Sequence, residues 1–244
     1  LAYAAALLIG WWILIGLAKR NLIPLNAKAR GEFIFSLLLG IILGGRLGYM
    51  LFYDFPAFIA NPLTFFQFQH GGMSSHGGFI GVAVACILFA RQQHISLMRL
   101  FDVTCIMAPA GLLLGRLANF VNGELWGKIS NVPWAVIFPH SAPAGTPLSM
   151  IAPRHPSQLY EAALEGLLLL IYTQIRFRQT KLARPGQLTA EFLFLYALVR
   201  IVCEVFREPD ASLIFGLSRG IFYSLLMLPL AAGIWIYARK ASTR

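Results

Sequence analysis

The chain has 244 residues, 58% of them hydrophobic and only 12% charged, with a net charge of +10. A soluble domain carries about twice that charged fraction, and a disordered chain lacks so much apolar matter, so both classes are excluded. The composition predicts an all-α membrane protein whose cations are to be placed relative to a bilayer, with no nucleic acid as partner.

A hydrocarbon core takes about 20 apolar residues per helix. On that basis we predict a seven-span transmembrane helix bundle, a single integral membrane domain over residues 1–244. Its spans are about 2–18, 33–53, 77–90, 101–119, 158–175, 187–206 and 219–238. The chain has no initiator Met and opens inside an apolar run, LAYAAALLIGWWILIGLA, so further chain is expected upstream of Leu1; the run is too long and aromatic for a signal-peptide core and lacks a basic segment before it. Lys19, Arg20, Lys28 and Arg30 follow span one; Arg91 and Arg99 follow span three; Arg176, Arg178, Lys181 and Arg184 follow span five; Arg239, Lys240 and Arg244 follow span seven. These alternating connections are assigned to the cytoplasm, which puts the N-terminus outside and the C-terminus inside. Arg46, Arg116, Lys128, Arg154, Arg200, Arg207 and Arg219 fall outside that pattern, at or near the outer ends of spans. A cation at the membrane edge that topology does not require is a functional candidate.

In span two, GGRLGYMLFY places Arg46, Tyr49 and Tyr53 at i, i+3 and i+7. Gly44, Gly45 and Gly48 either allow close helix packing or leave Arg46 lining a cavity. The connection that follows ends in HGGMSSHGG, with His76 at the mouth of span three. That histidine fits a structural hydrogen-bonding role; its flanking glycines also suit the approach of a bulky substrate. His70 has no cysteine or carboxylate near it in sequence, and no metal site is expected. Cys86, Cys105 and Cys203 are scattered through apolar runs and read as core residues.

Span four ends in GRLANFVNGELWG, which carries Arg116, Asn119, Asn122, Glu124 and Gly127. Part of this is an ordinary helix terminus, with Gly123 permitting a sharp bend. Capping does not call for an arginine, a glutamate and two asparagines together, whereas a guanidinium held by Asn and Glu suits a phosphate. Residues 120–157 are long and rich in proline, and read as a small extracytoplasmic arm or head, or a mobile lid. RHPSQLYEAALE opens span five, with Ser157 as expected N-cap. Glu161 and Glu165 stack at i, i+4, and their like charges call for Arg154 or an arginine from another span. In span six, Tyr196, Arg200, Glu204 and Arg207 fall within about 80° of one helical face. The stripe fits a buried salt bridge that locks helices. Its two arginines for one glutamate also suggest an absent anionic ligand.

GGRLGYMLFYDFP, GGMSSHGGFIG, GRLANFVNGELWG, RHPSQLYE and YALVRIVCEVFREPD, in this order, resemble the prolipoprotein diacylglyceryl transferase family from about residue 44 to 210. The resemblance implies an enzyme of the bacterial cytoplasmic (inner) membrane with an outward-facing site. It implies phosphatidylglycerol as donor and the lipobox cysteine thiol of signal-peptide-bearing prolipoproteins as acceptor. The products would be a thioether and glycerol-1-phosphate, with no cofactor. By motif match, His76 corresponds to the family's required histidine; Arg116, Asn119, Glu124 and Gly127 fall in its signature; Tyr196, Arg200, Glu204 and Arg207 fall in its second polar helix. His76, Arg116 and Arg200 are the expected catalytic residues, and Arg46, Asn119, Asn122, Glu124, Gly127, Tyr196, Glu204 and Arg207 the expected substrate-binding set. The family's Tyr-Gly pair near span one would fall just before Leu1. The rival readings are a membrane transporter for an organic anion, another lipid-headgroup enzyme such as a membrane acyltransferase, and a membrane scaffold.

Overall fold

A computed structural model describes residues 2–52, 54–67, 72–209 and 212–241. They form two compact units: one of residues 14–101, the other of residues 1–13 with 102–244. Nine α-helices occur among the described residues: α1 (Ala2–Lys19), α2 (Ala27–Phe52), α3 (Phe55–Ala60), α4 (Ser75–Gln93), α5 (Leu97–Asn122), α6 (Ser157–Glu161), α7 (Leu169–Thr180), α8 (Gln187–Glu204) and α9 (Arg219–Ala241). A π-helical segment, Ala162–Leu168, joins α6 to α7, so residues 157–180 form one helical run. Each expected span therefore overlaps a helical run, the sixth extending two residues past the end of α8. Three helical stretches, Ala27–Leu51, Leu97–Asn122 and Arg219–Ala241, are long and apolar enough to cross a membrane by length and composition. The run 157–180 and α8 are less apolar because they carry Glu161, Glu165, Glu191, Arg200 and Glu204.

In the unit of residues 14–101, α2 and α4 meet at glycines. A Cβ at Gly44 would collide with backbone atoms of Gly77 and Gly81, and one at Gly48 with the backbone of Gly77. Backbone-to-backbone approach of this kind needs small residues. The Ser74 hydroxyl accepts from Gly77 N at 3.2 Å and caps α4, just ahead of His76. Phe33 and Phe89 fill the centre beneath, with rings 5.0 Å apart.

In the other unit, Cys105, Leu169, Phe192 and Tyr196 form an apolar cluster, joined by Leu112, Val199 and Met227. All three cysteines are buried and none is in a disulfide, as core residues should be. The proline-rich segment is tied down. Ile129 and Val136 each make an antiparallel bridge with Arg154, and short 3-10 turns occur at Pro139–Ser141 and Leu148–Met150. The expected N-cap moves by one: Pro156 takes that place, and the Ser157 hydroxyl donates to Leu125 O at 3.2 Å. A proline before the helix has a fixed φ and leaves the serine free to bind elsewhere.

Candidate functional site

The charged residues of α5, α6, the π segment and α8 converge. Glu161 is fully buried, and its carboxylate receives Arg116 Nη1 at 3.0 Å, Arg200 Nη1 at 2.7 Å and Arg207 Nη1 at 3.0 Å. Glu165, also fully buried, takes Arg116 Nη2 on Oε2 at 3.1 Å and Arg200 Nη1 on Oε1 at 3.0 Å. Glu204 pairs with Arg200 Nη2 at 2.7 Å. Two carboxylates thus bridge the same two guanidiniums from different helices, and charge-assisted contacts of this kind fix geometry as well as supplying energy.

This arrangement changes the charge balance read from span six alone. Arg116, Arg200 and Arg207 face Glu161, Glu165 and Glu204, so the cluster is formally neutral. The surplus of positive charge disappears because the counterions sit on another helix. The like-charge pair on the RHPSQLYEAALE segment is answered as expected by arginines from elsewhere. Arg154 is not among them: it donates to Gly127 O at 3.1 Å and pairs with Glu208 at 3.3 Å.

Arg207 reaches the cluster by a different route from the helical stripe. Helix α8 ends at Glu204, and Arg207 lies past a turn, in an antiparallel bridge with Gly127. Gly127 N donates to His155 O at 2.9 Å, and Lys128 N to Phe206 O at 2.9 Å. A Cβ at Gly127 would stand 2.6 Å from both His155 O and Phe206 O. The glycine therefore serves as the tight junction that carries Arg207 to Glu161.

Asn119 and Asn122 do not hold Arg116. Their amides donate to Glu124 Oε1 at 2.9 and 3.1 Å, while Glu124 O accepts from Gln158 Nε2 at 2.6 Å. Gly123, at φ 66°, makes the bend that lets the three polar side chains close on one another. Tyr196 is nearly buried and stacks on Phe192 with centroids 6.0 Å apart.

Arg46 and His76 belong to the unit of residues 14–101. Arg46 is nearly sealed and spends its guanidinium on backbone carbonyls: Phe65 O at 3.0 Å, Thr64 O at 2.6 Å, Gln67 O at 3.0 Å and Gly72 O at 3.2 Å. These bonds fasten the loop after α3 and give Arg46 a structural task. His76 is the second residue of α4 and half-buried. Tyr53 and His70 lie outside the described residues.

The sequence did not single out Gly220, Gln158 or Gly166. A Cβ at Gly220 would run into the Glu204 carboxylate, and one at Gly166 would stand 2.6 Å from Leu113 Cα. A small residue next to a carboxylate, as in Glu165–Gly166, was the available signal, and it needs the partner helix to be recognised.

Fold and site together define a helical membrane protein that gathers arginines and glutamates inside an apolar bundle, a placement that function must justify. A model of the prolipoprotein diacylglyceryl transferase family matches residues 1–237. The phosphatidylglycerol–prolipoprotein diacylglyceryl transferase of Rhodospirillum rubrum is 46% identical over 247 residues, covering 99% of this chain and 87% of the relative. Those of Agrobacterium fabrum and Rhizobium meliloti are each 44% identical over 253 residues, at the same coverage. The chain belongs to the prolipoprotein diacylglyceryl transferase family. These relatives are named as transferases and lend no support to an anion transporter.

Proposed function

We propose that the chain transfers the diacylglyceryl group of phosphatidylglycerol to the cysteine thiol of prolipoproteins, the first step of lipoprotein maturation. The sulfur attacks the glycerol carbon that bears the phosphate ester. An S–C bond forms, the C–O bond breaks, and the phosphate monoester leaves as glycerol-1-phosphate with the electron pair. The thiol proton passes to a base, since an ordinary thiol titrates near 8.5 and the thiolate is the nucleophile.

One observation carries the placement of the chemistry. The side chains of Arg116 and Arg200 keep 15% and 12% of their surface, while Glu161 and Glu165 behind them keep none. The two arginine side chains thus keep the cluster's residual exposure, while the carboxylates hold their guanidiniums from the buried side. Donors fixed in advance at a departing phosphate oxygen stabilise the charge it gains, by ~3 kcal/mol each where such donors have been removed. Asn119, Asn122 and Glu124 border the same segment and are assigned to the lipid headgroup, with Tyr196, Glu204 and Arg207 supporting it. Lys128, which donates to Val205 O at 2.8 Å, and Gly127 hold this frame together. His76 is the motif's required histidine and our candidate for the base that takes the thiol proton. We place the site on the extracytoplasmic side of a seven-span bundle, from the alternation of Lys and Arg along the chain.

The test is thioether formation by purified enzyme in detergent, with phosphatidylglycerol and a lipobox peptide, released glycerol phosphate being measured alongside. Arg116→Gln and Arg200→Gln are each expected to cut turnover on the order of 100-fold. Near-normal turnover in either variant removes the phosphate clamp. An inactive wild-type protein that carries an organic anion across vesicles would favour transport, and consumption of an acyl donor without glycerol phosphate release would favour an acyltransferase.

A further inference from the structure

We infer that Glu165 and Gly166 are positioning residues, and that the π-helical segment is the device that makes them so; the inference rests on the proposed transfer reaction. A single π turn inside an α-helical run places an extra residue in the turn and is found mostly at functional sites. Here it covers Ala162–Leu168, directly after Glu161, and contains Glu165. The wider turn rotates position i+4 back over position i, so Glu161 and Glu165 present their carboxylates to the same pair of guanidiniums. Each oxygen of Glu165 faces a different helix: Oε2 takes Arg116 of α5, and Oε1 takes Arg200 of α8.

The spacing from α5 is set by the next residue. A Cβ at Gly166 would stand 2.6 Å from Leu113 Cα and 2.8 Å from Leu113 N. Leu113 lies three residues before Arg116, on the turn beneath it. A methyl group at 166 therefore pushes the π segment off α5 at the level where Glu165 meets Arg116. The misplacement is of the order of 1 Å, enough to cost on the order of 100-fold when reacting groups are held by such contacts.

Charge makes a second, distinguishable effect. In Glu165→Gln one carbonyl oxygen still accepts from one arginine, but the amide turned to the other arginine donates and is repelled. The cluster also gains a net positive charge. Ground-state attraction for an anionic lipid persists or rises, while the alignment of donors on the departing phosphate is lost. A residue that acts only in the transition state lowers kcat without raising KM.

The experiment measures kcat and KM for phosphatidylglycerol, per mole of monodisperse enzyme, for wild type, Glu165→Gln and Gly166→Ala. Glu191→Gln serves as a stability control. That residue pairs with Arg176 at 2.7 Å, outside the cluster, and its loss should lower the melting temperature with kcat unchanged. The expected result is a fall in kcat of about tenfold or more in both test variants, with KM unchanged or lower. Retention of more than half the wild-type kcat in either monodisperse variant overturns the inference, as does a rise of KM at constant kcat. If only one variant is recovered monodisperse, its kcat decides by the same criterion. If neither is, Gly166 and Glu165 are needed for folding rather than alignment, and the inference is overturned. A wild-type enzyme without turnover would instead sink the proposed reaction itself.

Discussion

Glu161 meets three guanidiniums and Glu165 two, and that difference is testable. Removing one partner of a buried ion pair strands the other and costs about 3–5 kcal/mol. Glu161→Gln is expected to lower the melting temperature in detergent further than Glu165→Gln, because Arg207 loses its carboxylate as well. An equal or smaller drop would mean that Arg207 is held by contacts other than Glu161, the bridge with Gly127 among them. The sequence made these arginines legible as cations without a topological reason, and made the two glutamates legible as a pair in want of cations. It could not match them, since the spacing that joins residue 116 to 161, 165 to 200 and 161 to 207 exists only in the packed bundle. Arg46 shows the limit from the other direction. Its membrane-edge position resembles that of the cluster arginines, and only its carbonyl partners reveal that it fastens a loop.

At the scale of elements, α8 is the strut that presents Arg200, and its far end is fixed by a residue of α5. Asp102 is fully buried and accepts from Gly186 N at 2.8 Å, Thr189 N at 2.8 Å and Thr189 Oγ1 at 2.7 Å. A carboxylate there satisfies amides that the helix cannot and suits the positive end of its dipole. Asp102→Ala is expected to destabilise by about 2 kcal/mol or more, as lost caps and stranded amides do. Since Arg200 stands thirteen residues beyond Gln187 at the start of α8, roughly 20 Å along the helix, kcat of the folded fraction should stay near wild type. A fall in kcat with an unchanged melting temperature would show that the cap tunes the site and not the strut. The sequence placed its seven expected spans on helical runs with ends up to six residues off, because apolar runs and their breaks are local features, but it did not anticipate the short α3. It did not reveal the π segment, whose hydrophobic pattern is as compatible with an α-helix, nor the cap from Asp102, which depends on a contact across 84 positions.

Across the molecule, large apolar side chains face outward and charge is withdrawn inside. Leu39, Leu43 and Leu47 line one exposed stripe of α2, and Leu226, Leu230 and Trp235 are exposed on α9. Exposed apolar surface on this scale marks contact with lipid or a partner. Trp12 of α1, 75% exposed, offers a direct check. In a variant that keeps Trp12 as its only tryptophan, lipids with brominated chains should quench its fluorescence strongly. Fluorescence unaffected by brominated chains would remove α1 from the bilayer. The membrane class was legible from composition alone. The number of crossings was less so, because the helices that carry the ion pairs are the ones whose apolarity those pairs reduce. The neutrality of the cluster has one more consequence. If phosphatidylglycerol binds there as proposed, its phosphate meets guanidiniums already paired with resident carboxylates, so it competes for donors instead of filling an empty seat. On that proposal the competition would hold retention of the lipid modest and leave the guanidiniums available for the heavier charge of the departing group.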